Sequence, residues 1–320
     1  MILRLLTATL LCSAVLTISP TGSSRALPEA PKPDYGTGKD AISSREAGKL
    51  LLELVNAERA KQGLNRLQFS APASELARQQ ADDMAQHGYV GHYDLAGRKC
   101  ELRYNRLGET DHVAENLAQR QVGARVRLTP ELVRSIFADW LASDSHRENI
   151  LAPGHTHMGY GFAVESSGEL STIYAVQEFI NDWGDYDRFP ATAKAGAVLK
   201  LRGHIDRGAR LAFVALGSEP PPGTRTAAQV GADDLHYRQP QPTEVLFPNY
   251  DTSAASGFPW GESAQLKPRG IEVLRDSSFA ADLTMPDTAT AQDSYITLWV
   301  TSSKIAEPFR AMTQVVRVEP

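Results

Sequence analysis

Apolar residues recur at helical spacing through the first half of the chain and alternate through much of the second. After Ser43-x-x-Glu46, a capping-box pattern, Leu51, Leu54, Val55 and Glu58 follow at helical intervals, and Gly63 is placed to stop the helix. The spacing predicts a second helix from about Pro72 to His87, with Leu76, Ala77, Ala81, Met84 and Ala85 on one stripe and Gly88 behind it. A third opens at Thr129-Pro130 and carries Leu132, Val133, Ile136, Phe137, Trp140 and Leu141 on a wide apolar face. A short fourth, around His146 to Leu151, runs into Pro153-Gly154. Residues 88–128 have weak periodicity and read as loop with short helical turns. Met158–Glu165 and Thr172–Ile180 then alternate around Ser166-Ser167-Gly168-Glu169, the pattern of a hairpin. Helices followed by an antiparallel hairpin predict an α+β domain.

Beyond Asp187 helical signals nearly vanish. The candidate strands are Val198–Ile205, Arg210–Leu216, Glu244–Pro248, Ile271–Val273, Phe279–Thr284, Tyr295–Thr301 and Gln314–Val318. Turn-rich pieces separate them, such as Pro220-Pro221-Pro222-Gly223 and Gly257-Phe258-Pro259-Trp260-Gly261, which predicts a mainly-β, sandwich-like domain. The expected organisation is a leader over 1–26, a linker over 27–43, an α+β domain over 44–187 and a β domain over 188–320. Arg4, the apolar run Leu5–Ile18 and the small-x-small site Ser24-Arg25-Ala26 support the leader. The run is too short for a stable membrane span, and Cys12 lacks the small preceding residue that lipidation wants. The expected location is therefore secreted or periplasmic.

The chain has 33 basic and 38 acidic side chains, with no clustered basic excess, so nucleic acid is not an expected partner. Without the leader only Cys100 remains of the two cysteines, so no disulfide within the chain is available. Cys100 reads as a small packed hydrophobe, with an intermolecular disulfide as the alternative if it is exposed. Six of the eight histidines fall between His87 and His157. His155-x-His157 would chelate a metal on a strand, but beside Pro153-Gly154 it reads as an exposed turn. Ser143 and Ser145 neighbour His146, yet no Gly-x-Ser-x-Gly elbow occurs and no nucleophile stands out. Phe258-Pro259-Trp260 reads as a packed loop, with a glycan or protein contact as the alternative.

Several motifs occur in order: Leu54-Val55-Asn56-x-x-Arg59-x-x-x-Gly63-Leu64, Gly91-His92-Tyr93, Ala114-Glu115-Asn116-Leu117, Trp140-x-x-Ser143-Asp144-Ser145-His146-Arg147-Glu148-Asn149-Ile150-Leu151, and Gly159-Tyr160-Gly161. Together this segment of about 140 residues resembles the CAP superfamily in its bacterial, disulfide-free form. The resemblance implies a three-layer α-β-α sandwich with a central cleft. Its animal members line that cleft with two histidines and two acids able to hold a divalent cation. His92 and His146 match the histidines and Glu115 matches one acid. The second acid follows the family's tryptophan by three residues and is Ser143 here; adjacent Asp144 would point about 100° away on a helix.

His92, Glu115 and His146 are thus the candidate cleft residues, with His92 and His146 the candidate ligands for Zn2+ or another divalent cation. The competing reading is structural: Glu115 accepts hydrogen bonds that tie its loop to the cleft wall, and Asn116 caps a turn. The resemblance implies binding rather than catalysis, with a small apolar molecule, a peptide or a cell-surface partner as ligand. The alternatives are a metal-dependent, protease-like hydrolase using His92 and His146, and an adhesion or carbohydrate-binding protein working through its β domain.

Overall fold

The computed structural model describes residues 40–123, 127–167, 170–206, 208–232, 239–250 and 264–320. The leader with Cys12, most of the linker, Gly168-Glu169 of the hairpin turn and the aromatic turn Gly257–Gly261 lie outside those residues. Helix α1 spans Ser44–Lys61, opened by the expected box: the Ser43 hydroxyl accepts from the Glu46 N–H, and the Glu46 carboxylate accepts from the Ser43 N–H at 2.8 Å. Strand β1 (Gln68–Phe69) leads into α2 (Ala71–His87), which is capped by Ser70 and ends at left-handed Gly88. Then come α3 (Cys100–Leu107), β2 (His112–Gly123), α4 (Pro130–Ala142), α5 (Asp144–Leu151), β3 (His157–Ser167) and β4 (Leu170–Asn181).

The four strands form one sheet in the order β1-β3-β4-β2, with both faces of β4 buried. Ile173, Ala175 and Phe179 face α1 and α4, while Tyr174 and Val176 face α2, which makes the three-layer α-β-α sandwich. Gly159 and Gly161 let α2 lie directly on β3, because an added Cβ would come within 2.2 Å of Ala73 backbone and 2.3 Å of Ala77 backbone.

Strand β2 corrects the reading of 88–128 as mostly loop. It pairs with β4 along its whole length, from His112↔Asn181 to Gly123↔Leu170. Its polar positions, Glu115, Asn116, Gln119 and Arg120, hid the alternation, yet Glu115 and Asn116 are both buried.

The second half builds β5 (Gly184–Tyr186), β6 (Thr192–Lys194), β7 (Val198–Ile205), β8 (Ala209–Glu219), α6 (Ala227–Ala232), β9 (Pro242–Pro248), β10 (Gln265–Val273), β11 (Ser278–Thr284), β12 (Gln292–Ser302) and β13 (Ile305–Glu319). Every candidate strand beyond Asp187 lies within one of these. Strand β5, inside the span read as part of the first domain, pairs with β7, so the chain changes sheet at Asp182-Trp183. The strand order is β5-β7-β11-β10-β9-β8-β12-β13-β6. Strand β10 is the corner: its first part runs parallel to β9 and its end pairs antiparallel with β11. The register shifts between Lys267 and Ile271, where Arg269 adopts φ 57°. Leu201, Ile205, Phe279 and Leu283 of one leaf share a core with Val214, Leu216, Ile296, Leu298 and Val316 of the other, the expected sandwich-like arrangement.

The two halves meet along β13. Asn105 reads its backbone as a neighbouring strand would, donating to Thr313 O at 2.9 Å and accepting from the Val315 N–H at 2.8 Å. Asp111 and Met312 form an isolated antiparallel bridge, and Asn181 donates to Arg310 O at 2.6 Å. Between β8 and β9 an arm reaches onto the first domain: Val230 of α6 joins the cluster of Ala77, Ala81, Met84, Tyr89 and Val90, and Arg225 stacks over Tyr93.

Candidate functional site

The motif residues of α1 are structural. Asn56 donates to Leu67 O at 3.0 Å and accepts from the Leu67 N–H at 2.7 Å. Arg59 is wholly buried and donates to the carbonyls of Asn65, Ile150, Ala152 and His155. Burial pushes its pKa down to about 10. This guanidinium fastens the end of α1 to the turn after α5.

His92 and His146 are 3% and 2% exposed, and Glu115 is equally buried. Glu115 stands on β2, not on a loop. His92 Nδ1 donates to Glu115 Oε1 at 2.8 Å, and Arg103 of α3 donates to Glu115 Oε2 at 2.8 Å and to His92 O at 3.3 Å. Asn116, on the opposite face of β2, donates to His146 O at 3.2 Å and accepts from Asn149 at 3.0 Å. The alternation of one edge strand therefore fixes His92 on one side and α5, with His146, on the other.

Directly across the ladder from Glu115 stands Glu178 of β4, fully buried. The pair titrates unequally. Burial alone would raise the Glu115 carboxyl, but Arg103 and then the His92 hydrogen bond outweigh it and hold it down at about 2. Glu178 has burial and the Glu115 charge against it and is pushed well up, so it stays protonated. Burial, with His92 nearby, lowers His146 to about 4 and keeps that ring neutral. Arg103 escaped the sequence reading, and Glu178, visible there in the Gln177-Glu178-Phe179 run of the hairpin, was not among the candidate cleft residues. The available signal was a Gln177-Glu178 pair inside a strand buried on both faces.

This arrangement does not fit a divalent cation. Both oxygens of Glu115 are engaged, one by a resident guanidinium whose charge repels a metal. Among the described residues no three His, Cys, Asp or Glu side chains converge as a metal site requires. Ser143, at the acid's position, joins α4 to α5, and its hydroxyl lies 3.4 Å from that of Ser145. Asp144 pairs with Arg147 at 2.5 Å instead.

His155 is not on an exposed turn: its ring is buried, stacks on Phe179 at 4.8 Å and shares a 2.6 Å hydrogen bond with Asn181. His157 opens β3 and lies 3.7 Å from Asp182. Burial, only partly offset by Asn181, lowers His155 to about 4. Its folded pKa lies below its unfolded value, so the stability it contributes is present above about pH 6.5 and is lost as pH falls toward 4. Urea unfolding should show that loss, about 3 kcal/mol at most for one ring. His155→Asn should flatten the slope between pH 6.5 and 4; an unchanged slope would remove His155 as a cause.

A chamber of about 40 Å³ sits behind His92, room for a few waters. Its walls include Cys100, Glu101, His112, Glu115 and Asn149 from the first half, with Gln239 and Arg310 from the second. Cys100 is 4% exposed and burial raises its thiol pKa, which disfavours an intermolecular disulfide.

Residues 52–179 match the family model described as CAP, the cysteine-rich secretory protein family. Two curated Bacillus subtilis (strain 168) proteins are similar over 140 residues. The uncharacterized protein YkwD is 34% identical over 41% of this chain and 46% of its own length. The uncharacterized membrane protein YlbC is 31% identical over 42% of this chain and 34% of its own. The chain thus spans less than half the length of these relatives. Among solved structures, an extracellular SCP-domain protein from Bacillus anthracis is 21% identical with a TM-score of 0.34, covering 43% of this chain and 41% of that one. No helix among the described residues is long and apolar enough to cross a membrane.

Proposed function

We propose that this protein, whose residues 52–179 are a domain of the cysteine-rich secretory protein (CAP) family, is an exported binding protein that holds a short peptide segment in the cleft of that domain. The observation that carries the reading is the commitment of Glu115: His92 and Arg103 take both of its oxygens. A carboxylate held at about 2 by a buried arginine is a poor general base and is not available to a metal. The chamber beside Glu115 is walled by further polar groups, among them His92, His112, Asn149 and Gln239. Backbone amides and carbonyls suit such walls better than an apolar molecule does. The apolar leader Leu5–Ile18 supports export.

Peptides selected by the full-length protein from a random library should bind His92→Ala/His146→Ala at least about tenfold more weakly and emerge uncleaved in mass spectra. Zinc should bind wild type and the double variant alike. Zinc-dependent cleavage that the double variant loses would overturn this reading in favour of the hydrolase.

A further inference from the structure

We propose that the C-terminal β domain is a built-in lid: β13, with Gln239 and Arg310, covers the cleft chamber, and a ligand larger than water reaches His92 only when this domain swings away about Asp182-Trp183. The closure is visible in the chamber walls, which come from both halves of the chain. Glu101, buried at the start of α3, accepts from Gln239. Two residues earlier, Lys99 is 4% exposed and pairs with Glu219 at 2.7 Å. His112 Nδ1 lies 3.0 Å from the Thr313 hydroxyl. Three polar groups beside the cleft thus find their partners on the second domain. At about 40 Å³ the chamber, as these walls leave it, has room for water and nothing larger.

The seam is built to release. Besides Phe309 against Trp183 and Gly154, β13 meets the first domain through the hydrogen bonds of Asn105, His112 and Asn181, which water can replace. The large core of the sandwich and the clusters of the first domain are separate, and Val230 on the arm is the buried apolar side chain that crosses between them. A mainly polar seam, with Val230 and Phe309 as its apolar contacts, is the kind of interface across which domains move. One two-residue connection, Asp182-Trp183, joins the last strand of the first sheet to the first strand of the second.

Cys100 supplies a reporter inside the chamber, so the test needs no ligand and its failure is separable from failure of the peptide reading. Iodoacetamide labelling of the full chain, read peptide by peptide so that Cys12 does not contribute, should be slow at Cys100. Its rate should rise only weakly with urea, as opening without unfolding requires. Val230→Ala with Glu219→Gln, both outside the cleft, should accelerate it about tenfold or more. The opposite arm closes the lid. Asp111 and Met312 are antiparallel bridge partners, whose Cα spacing of about 4.5–5.5 Å suits a disulfide, so Asp111→Cys/Met312→Cys should label about tenfold more slowly when oxidised than when reduced. Comparing two redox states of one protein removes any effect of the substitutions on folding. Labelling of wild type as fast as of the urea-unfolded chain would overturn the lid, as would equal rates in the oxidised and reduced forms.

Discussion

Glu115→Ala should lower the unfolding free energy by about 3–5 kcal/mol, the range seen when one partner of a buried ion pair is removed. The loss comes less from the missing bond than from what stays behind. Arg103 is 8% exposed and has no other carboxylate within ion-pairing distance among the described residues, so its charge would remain out of water without compensation. Glu178 would respond: its protonated state is maintained partly by the Glu115 charge, and without that neighbour it would ionise more readily and partly replace it. Adding Arg103→Leu to Glu115→Ala should therefore recover part of the loss, because it removes the stranded cation. Urea denaturation of the two single variants and the double closes the cycle. A single-variant loss below about 1 kcal/mol would show that the pair is solvated.

Arg59→Met should cost about 3–4 kcal/mol although the new side chain fills much of the same space. The guanidinium satisfies carbonyls at four positions, one after α1 and three at and beyond the end of α5, and methionine can donate to none of them. Charge-assisted bonds of this kind each contribute about 1.5–3 kcal/mol, and the orphaned carbonyls are only partly reached by water. Because three of the four lie between Ile150 and His155, hydrogen exchange should quicken first at residues 150–156. Uniform acceleration over the whole first domain, with no local excess, would count against this staple.

The helices of the first domain were legible because caps and stripes agreed. Ser43 with Glu46, Ser70, and Thr129 with Pro130 open α1, α2 and α4 where the apolar period begins. The second domain's strands were legible from alternation, and their boundaries were short mainly at β13, which runs on from Ile305 through polar positions. Strand β2 was not legible, since an edge strand that carries a buried glutamate and asparagine imitates a polar loop. His92, Glu115 and His146 were singled out through motif order, and the structure sets all three beside one edge strand. Arg103 was hidden in a short, highly charged helix, and its partner becomes apparent only when α3 packs against β2. Burial of the cleft under the second domain has no local signature at all, because Asn105 and Thr313 meet only through tertiary structure.

Strand β10 has a mechanical consequence. Since it hydrogen-bonds to both leaves, the sandwich is one ribbon folded over rather than two plates pressed together. Two plates can slide or peel by giving up side-chain packing alone, whereas here any separation must also tear the ladder at the corner. Parting the leaves would therefore require breaking the β10 ladder around Lys267–Ile271 as well as the core they share.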